Sequence, residues 1–392
     1  MITWNQHLVK KSNKSLVLQT VKEQAPLSRA DISQRSGLNK GTVSSLVHEL
    51  IEEQLIYEIG PGESSGGRRP VMLLFNQLAG YAVGIDLGVN YILGVLTDLQ
   101  GNIVKETSVN CSSSTFESMI QHLKETIQSL IDAAPDSYYG IVGIGVGVPG
   151  IVDKEGEILL APNLGWRNID LKEQIEQHFH LPVIIDNEAN AGAYGEKKFG
   201  AGQDVDNLVY ISAGIGIGVG YIFNGELYRG LNGFSGEMGH MIIEVNGKPC
   251  RCGSKGCWEL YASEQALLTE AEQLKPLGQQ SEKPSLETLL ELARHRNKEV
   301  LQLFEHIGSY LGFGINNIIN SFNPQKIVIG NRLAMAEEWL KEPVERVIES
   351  HTLPFHRVDL QLHFSKLSTY SAALGVSAFA TENFLRAELH EK

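Results

Sequence analysis

The feature that most constrains the fold is a repeated pattern, beginning near residue 80, in which apolar strands are joined by glycine turns. Two of these units are GYAVGIDLGVNYILGVLTDLQGNIV at residues 80–104 and NLVYISAGIGIGVGYIFNGELYRG at residues 207–230. Helical segments follow some of these strands, as in LPVIIDNEANAGAYGE, and such alternation is typical of α/β domains. We therefore predict a two-lobed α/β domain, in which ligands bind where loops leave the strand ends.

The first 76 residues show a different pattern, with three helical segments followed by a hairpin rich in glycine, serine and arginine. Ser28 and Asp31 have the spacing of a helix cap at the start of the second helix, which Gly37 ends. Asn39 is a favourable N-cap for the third helix. The apolar side chains of that helix recur at helical spacing and are Val43, Leu46, Val47 and Leu50.

Two short helices joined by a glycine turn, followed by an arginine-tipped hairpin, are typical of a winged helix-turn-helix. Small hydroxyl side chains on the outer face of the third helix let its backbone approach base edges. Arginines at the hairpin tip suit phosphates or a narrow minor groove. The predicted DNA-binding residues are Asn39, Lys40, Thr42, Ser44, Ser45, Arg68 and Arg69. A three-helix packing module with a solvated polar face is the alternative interpretation.

The distribution of charge supports a nucleic-acid partner for the N-terminal part only. The whole chain has a formal net charge of −13. Residues 1–70 nevertheless carry nine Lys or Arg against seven Asp or Glu, whereas the remainder carries 24 against 39. An acidic body with a basic-leaning N-terminal part favours DNA binding by that part.

The sequence predicts neither export nor a membrane span. The N-terminal residues MITWNQHLVKKSNKS are polar and basic, with no apolar run behind them. The apolar segment VYISAGIGIGVGYIF is shorter than the about 20 residues of a membrane helix and is interrupted by glycines. We therefore expect a cytoplasmic protein, in which clustered cysteines bind metal more often than they form disulfides.

Three of the four cysteines lie within the segment GHMIIEVNGKPCRCGSKGCWE at residues 239–259. Cys250, Cys252 and Cys257 together with His240 form a Cys₃His set, the donor set of closed tetrahedral Zn²⁺ sites. We therefore predict a structural zinc ion. Chance burial of three cysteines and a redox pair are the alternatives, and Cys111 is expected to be inert.

The segment ISAGIGIGVGYIFNGELYRGLNGFSGEMGH resembles the signature of the ROK family (repressors, open reading frames and sugar kinases). CRCGSKGCWE resembles that family's zinc-site pattern, and the N-terminal winged helix indicates its repressor branch. The resemblance implies a winged helix-turn-helix followed by a two-lobed actin-like, hexokinase-like ROK domain, assembled as a homodimer. The predicted domains are a winged helix at 1–76, a first lobe at 80–188 completed by helix 368–388, and a second lobe with the zinc site at 189–367.

The resemblance also implies the residues that contact a sugar, which are Asn163, Asn187, Glu188, Glu237, His240 and Glu259. Carboxylates and amides suit polyols because each sugar hydroxyl both donates and accepts hydrogen bonds. Zinc would order Glu237 and Glu259, since each lies within three residues of a metal ligand. A solvated surface position is the alternative for any one of these acids.

The function implied is repression of xylose-utilisation genes by a dimer that binds operator DNA and is released by xylose. Glucose or N-acetylglucosamine could use the same acids, so other inducers remain alternatives. No residue pattern identifies the operator sequence.

A sugar kinase is the alternative function, because the resemblance to the ROK family includes kinases that have the same two-lobed domain. In those kinases an aspartate follows the strand-end asparagine and acts as general base, whereas Glu188 stands here. The first phosphate loop is DLGVN, without a second glycine and a threonine, and Ile215 replaces a threonine in the second loop. Gly330-Asn331 replaces a Gly-Gly pair near the adenosine end. Because these changes weaken a nucleotide site, we predict a sensor with no enzymatic activity.

Overall fold

The computed structural model describes residues 6–61, 69–111, 115–274 and 284–390. The N-terminal unit contains three helices and three short strands. These are α1 (Gln6–Gln24), β1 (Leu27–Ser28), α2 (Arg29–Ser36), α3 (Lys40–Glu52), β2 (Ile56–Pro61) and β3 (Val71–Phe75). The strands pair antiparallel in the order β1-β3-β2, so that β2 and β3 form the wing. The winged helix-turn-helix predicted from the sequence is therefore confirmed.

Local capping interactions set the bounds of the two short helices. The Ser28 hydroxyl accepts a hydrogen bond from the Asp31 amide, and the Ser28 amide donates to the Asp31 carboxylate, which completes a capping box. Gly37 ends α2 with a φ of 73°, a conformation that favours glycine. The Asn39 side chain caps α3 by accepting from the Thr42 amide at 2.9 Å. The buried residues of α3 are Val43, Leu46, Val47 and Leu50.

The next part of the chain is built around a five-stranded sheet, here called the first sheet. Its elements, with a small three-stranded sheet packed against them, are β4 (Tyr81–Leu87), β5 (Tyr91–Asp98), β6 (Ile103–Asn110), α4 (Phe116–Asp132), β7 (Ile141–Val148), β8 (Ile151–Val152), β9 (Ile158–Ala161), β10 (Trp166–Ile169), α5 (Leu171–Phe179) and β11 (Val183–Asn187). The strand order of the first sheet is β11-β7-β4-β5-β6. Strands β4, β7 and β11 run parallel, so their carboxyl ends meet at one edge.

The remaining residues build a second five-stranded sheet, here called the second sheet, with strand order β14-β13-β12-β15-β16. Its elements are α6 (Glu188–Phe199), β12 (Leu208–Ala213), β13 (Ile217–Phe223), β14 (Glu226–Tyr228), α7 (Glu259–Ala262), α8 (Glu264–Ala271), α9 (Leu286–Arg294), α10 (Lys298–Phe322), β15 (Lys326–Gly330), α11 (Glu337–His351), β16 (Gln361–Phe364) and α12 (Tyr370–His390). The largest buried core of this part joins the sheet to α10 and α11.

Two helices, α6 and α12, pack between the sheets in direct backbone contact. A Cβ at Gly375 of α12 would overlap the carbonyl oxygen of Ala191 in α6. A Cβ at Gly84 of the first sheet would overlap the carbonyl oxygen of Ala373, and one at Gly220 of the second sheet that of Ala189. The layers therefore follow each other as first sheet, α12, α6 and second sheet. Such a stack is typical of two-lobed α/β folds with the ligand cleft between lobes.

The winged helix shares a hydrophobic core with the first sheet and with the end of α12. Leu50 and Leu73 of the winged helix belong to the same buried cluster as Val142, Ala380 and Leu385. The Tyr139 hydroxyl also donates a hydrogen bond to the Glu53 carbonyl at the end of α3, at 2.8 Å. The DNA-binding unit is consequently packed on the α/β domain. Within the described ranges, none of the helices combines the length and apolar character needed to cross a bilayer.

Candidate metal centre and binding cleft

The four predicted metal ligands lie together in the structure. The donor atoms of His240, Cys250, Cys252 and Cys257 all lie within 4.8 Å of one another. The sulfurs of Cys252 and Cys257 are 3.7 Å apart, and the Cys250 sulfur is 3.7 Å from Nδ1 of His240. A tetrahedral ion with metal–sulfur bonds of about 2.3 Å separates two sulfurs by about 3.8 Å. The described residues therefore hold a Cys₃His cluster that could bind a metal ion.

A compact loop positions these ligands (residues 240–257, here called the metal loop). Isolated bridges pair Ile242 with Cys257 and Pro249 with Lys255, which brings the two ends of the loop together. The Cys250 amide donates to the Ser254 carbonyl at 2.8 Å, closing a tight turn that contains Cys252. Trp258, which directly follows the loop, is fully buried and donates through its indole N–H to the Tyr310 carbonyl of α10. The metal loop is thus anchored to the core of the second sheet.

Two of the three thiols of the metal loop are buried, and burial disfavours their thiolate forms. Burial raises the pKa of the Cys250 thiol and of the Cys257 thiol. Neutral thiols are poor ligands, and a bound metal supplies the positive charge that releases their protons. Cys252 differs, because it is exposed and, although burial raises the pKa of its thiol, a hydrogen bond with the Ser254 backbone and contacts with Cys250 and Cys257 lower that pKa overall. The Cys₃His donor set suits a divalent metal ion.

His240 lies between two of the predicted sugar-binding carboxylates. Its Nδ1 atom is 3.5 Å from Glu259 Oε1, and its Nε2 atom is 3.8 Å from Glu237 Oε2. Nδ1 also faces Cys250, so this nitrogen points toward the metal cluster while Nε2 points away from it. Because the two ring nitrogens are distinct, one imidazole can hold a metal through Nδ1 and face a ligand through Nε2.

Glu237 is held by the glycine that precedes it. Gly236 has a φ of 100°, and a Cβ there would overlap the carbonyl oxygen of Val219 on β13. Since only glycine fits both constraints, the short 3₁₀ turn Glu237–His240 is fixed against the second sheet. The Glu237 side chain remains 40% exposed, which leaves its carboxylate accessible from the cleft.

Asn163 approaches the same region from the turn between β9 and β10. Its side-chain oxygen accepts a hydrogen bond from Arg251 of the metal loop at 3.2 Å. A Cβ placed on Gly216 would lie 2.9 Å from Glu259 Oε2 and 3.7 Å from Asn163 Nδ2. Asn163, Glu259 and Gly216 therefore line one space between the two sheets, as a sugar cleft requires.

Asn187 and Glu188 lie where β11 ends and α6 begins, and their contacts differ from those around His240. The Asn187 side-chain oxygen caps α6 by accepting from the Ala189 and Asn190 amides, and its nitrogen donates to the Gly150 carbonyl. Most of the hydrogen-bonding capacity of Asn187 is thus used within the fold. Glu188 accepts from the Ser212 hydroxyl at 3.1 Å, and burial raises the pKa of its carboxyl.

Neighbouring side chains occupy the turns where the kinase interpretation would place a nucleotide. The Tyr91 hydroxyl donates to Asp86 Oδ2 at 2.7 Å, and the Tyr91 ring takes the space that a Cβ at Gly88 would need. Burial raises the pKa of Asp86 to about 8, and the charge of Glu188 adds to this shift. Asn331 donates to the Ser212 hydroxyl at 3.0 Å. These two hydrogen bonds therefore join side chains at the ends of β4, β12 and β15 to their neighbours within the fold.

Sequence reasoning missed an ion pair that joins the two sheets beside the cleft. Arg229, which follows β14, donates to Asp186 Oδ2 of β11 from Nη2 at 2.7 Å and from Nε at 3.0 Å. The guanidinium also lies 5.0 Å from the Phe379 ring centroid of α12. No local sequence pattern pairs two residues 43 positions apart. The available signals were that Asp186 directly precedes the predicted site residue Asn187 and that Arg229 directly follows a strand. Tyr91 was missed as well, although its partner Asp86 lies only five positions away.

The predicted DNA-binding residues occupy the start of α3 and the base of the wing. Lys40, Ser44 and Ser45 are exposed, and Thr42 is half-buried. The Asn39 oxygen is engaged in the helix cap, so only its amide N–H groups remain for a base contact. Arg69 is exposed just before β3, whereas Arg68 lies outside the described residues.

The same architecture occurs in known proteins. Residues 82–383 match the ROK family, and residues 16–59 match the IclR helix-turn-helix domain. The xylose repressor of Bacillus spizizenii is 46% identical over 381 residues, which cover 97% of this chain and 98% of that protein.

Solved structures agree with these sequence similarities. A ROK family transcriptional regulator, a homologue of the Escherichia coli MLC protein, superposes with a TM-score of 0.82 at 30% identity and covers 98% of both chains. A ROK family glucokinase from Streptomyces griseus, solved with glucose and AMPPNP, has a TM-score of 0.72 at 28% identity. That match covers 77% of this chain and 100% of the kinase.

Proposed function

Because the chain belongs to the ROK family and is a sugar-responsive repressor with an N-terminal helix-turn-helix domain, we propose that xylose is its inducer. In this proposal a homodimer binds the operator of xylose-utilisation genes in the cytoplasm, and xylose releases it. The observation that carries the proposal is the cluster in which His240 lies between Glu237 and Glu259 beside three cysteines. Glucose and N-acetylglucosamine are the alternative inducers.

We infer that the metal is a structural zinc ion held by His240, Cys250, Cys252 and Cys257. The support is the Cys₃His donor set and the 3.7 Å separation of two sulfurs, which suits tetrahedral zinc. Bound there, the ion would cross-link the metal loop without leaving an open position for catalysis. Its role is to orient the imidazole and the adjacent Glu237 and Glu259 carboxylates.

The proposed sugar site is formed by Glu237, His240 and Glu259 of the second sheet, Asn163 of the small sheet, and Asn187 with Glu188 at the start of α6. Acceptors and donors from both sides of the cleft would satisfy the hydroxyls of one monosaccharide. Because both sides contribute, bound sugar favours a closed arrangement of the sheets. We propose that the protein moves as three units, which are residues 1–76, residues 80–188 together with 368–388, and residues 189–367.

On DNA, each winged helix would place the start of α3 in the major groove of one half-site. Lys40, Ser44 and Ser45 are exposed there and can reach base edges or phosphates. Arg69, with Arg68, would contact phosphates or the adjacent minor groove. A palindromic operator follows from the two-fold symmetry of the proposed homodimer.

A ROK family sugar kinase is the second candidate function. The observation in its favour is Glu188, a carboxylate at the start of α6 where the kinases carry their general base. The hydrogen bonds of Tyr91 with Asp86 and of Asn331 with Ser212 weigh against it, because they occupy turns that a nucleotide would need. We therefore propose a non-catalytic sensor.

Operator binding measured with and without sugar tests the proposed function. We expect saturating xylose to weaken operator affinity by about 5- to 150-fold, the usual range of coupling between two sites. The same titration with glucose, N-acetylglucosamine and ATP-Mg identifies the effector, and a coupled assay measures phosphorylation of each sugar. Unchanged operator affinity at saturating sugar contradicts the repressor mechanism, and rapid turnover of an aldose supports the kinase.

Replacing Arg69 by alanine tests the wing. Arg69 is exposed at the base of the hairpin, and loss of one phosphate contact lowers the salt dependence of binding. We expect the slope of log K against log salt to fall by about 1, with weaker binding to all DNA sequences. Fluorescence anisotropy over a salt series measures this. Lys105→Ala, at an exposed lysine of strand β6, is the control and should leave the slope unaltered.

A further inference from the structure

Helices α6 and α12 are joined by a polar contact close to the winged helix. Glu382 of α12 accepts a hydrogen bond from the Tyr194 hydroxyl at 2.6 Å and pairs with Lys198 Nζ at 2.9 Å. Both partners belong to α6. The Tyr194 ring also stacks on Phe379 of α12, with centroids 4.6 Å apart and an interplanar angle of 28°. This part of α12 is therefore tied to α6 by one ion pair, one hydrogen bond and one ring stack.

A lysine of the winged helix lies close to the same carboxylate. Lys22 of α1 is half-buried, and its Nζ lies 5.5 Å from the Phe75 ring centroid. Burial lowers the pKa of Lys22, whereas the charge of Glu382 raises it and the charge of Lys198 lowers it further. Val21, next to Lys22, and Leu385, about one turn after Glu382, lie in one buried cluster, so α12 packs on the DNA-binding unit close to the Glu382–Lys198 pair.

The other end of α6 lies in the proposed sugar cleft. Helix α6 begins at Glu188, directly after Asn187, and reaches Lys198 ten residues later. Ten residues of α-helix span about 15 Å. Because α6 packs backbone to backbone on both the second sheet and α12, a displacement at its start reaches Tyr194 and Lys198 without being absorbed by flexible side chains.

We propose that Glu382 is a positioning residue that transmits sugar binding to the winged helix, because its carboxylate pairs with Lys198 of α6 while Ala380 and Leu385 of the same helix pack on the winged helix. This inference rests on the proposed sugar-responsive function and names the contact through which it operates. When the cleft closes, a displacement of α6 is passed to this part of α12 through the Glu382–Lys198 pair. Helix α12 then holds the winged helix differently, which shifts the orientation of the winged helix.

The test is the coupling ratio, defined as operator affinity without xylose divided by operator affinity with saturating xylose, measured on the full-length protein. Glu382→Gln keeps an acceptor for Tyr194 and removes only the charge. We expect the ratio to fall at least about fivefold, toward 1. Operator affinity without xylose, and xylose affinity without DNA, should each remain within about threefold of the native values. By reciprocity, DNA should also lose its effect on xylose affinity.

Lys198→Met removes the same ion pair from the side of α6 and leaves the sequence of α12 unchanged. We expect it to reduce the coupling ratio as well, and the double variant to lose little more than either single variant, because both remove one interaction. Glu125→Gln is the matched control, at an exposed glutamate of α4 whose side chain contacts Gln121 of the same helix. Its ratio should equal that of the native protein.

The outcomes separate this inference from the proposed function. A coupling ratio of 1 in the native protein refutes sugar-responsive repression and, with it, the proposed role of Glu382. A large coupling ratio in the native protein that persists in both Glu382→Gln and Lys198→Met refutes the proposed role of Glu382 and leaves the proposed repressor function standing. Should Glu382→Gln melt at a much lower temperature than the native protein, Lys198→Met alone decides the question.

Discussion

The Cys257→Ser protein is expected to lose its metal ion and, with it, the response to sugar. Cys257 is fully buried, its sulfur lies 3.7 Å from that of Cys252, and its backbone pairs with Ile242 across the metal loop. Structural zinc contributes about 10–16 kcal/mol of apparent binding free energy at pH 7, so loss of one ligand weakens the site severely. Metal content per chain, measured by mass spectrometry after dialysis, should fall from one to nearly none.

The same substitution should lower the melting temperature by at least about 10 °C, since each kcal/mol lost shifts a domain of about 150–250 residues by about 2–4 °C and the metal contributes several kcal/mol. Operator binding without sugar should survive, because the winged helix packs on the first sheet and α12 rather than on the metal loop. A chelator applied to the native protein should reproduce both effects, and added Zn²⁺ should reverse them.

Cys111→Ser is the control for loss of a buried thiol. Cys111 is also buried, and its sulfur contacts the Val109 carbonyl and His122, which lie far from the metal loop in the sequence. We expect this variant to keep one metal ion per chain and a normal sugar response. A Cys257→Ser protein that retains its full metal content would show that the cysteines serve another purpose.

Features that depend on neighbouring residues were predictable from the sequence. The capping box of Ser28 and Asp31, the helix end at Gly37 and the cap at Asn39 all arise from contacts across three or four positions. Apolar periodicity likewise identified the buried face of α3. The Cys₃His cluster was also predictable from the sequence, because its ligands lie on one short loop and their side-chain types are typical of metal binding.

Features that depend on how the two sheets pack were not predictable in the same way. Arg229 pairs with Asp186, and Glu382 with Tyr194, through the arrangement of α6, α12 and both sheets. The sequence carries no periodicity that joins such distant positions. Gly375 was expected only as one residue of the helix 368–388, yet its missing side chain is what permits α6 and α12 to touch.

The position of a residue also did not reveal how much of its side chain is free. Asn187 was predicted only as a sugar contact, yet its side-chain oxygen caps α6. Asn39 was predicted both as a cap and as a DNA contact, and its side-chain oxygen is used by the cap. Helix N-terminal amides need such acceptors, and the fold uses the same asparagines. Their contribution to recognition is therefore limited to the N–H groups that the caps leave free.

Replacing Glu237 by alanine is expected to raise the dissociation constant for the inducing sugar by roughly 100-fold. Hydrogen bonds to a charged group contribute about 1.5–3 kcal/mol each, and a carboxylate can accept from two sugar hydroxyls. Gly236 fixes the backbone at this position, so removal of the side chain should not displace the turn. Isothermal titration calorimetry with xylose measures the affinity, and operator release measures the consequence.

The design of this experiment separates a sugar ligand from a residue that merely supports the metal loop. Glu237 is not among the four metal ligands, so the variant should keep its metal ion and its operator affinity without sugar. Glu299→Ala, at an exposed glutamate in the first turn of α10, is the matched control and should respond normally. If Glu237→Ala instead releases the operator at the native xylose concentration, its carboxylate does not bind the sugar. Loss of metal together with loss of response would assign Glu237 to the support of His240, whose Nε2 lies 3.8 Å away.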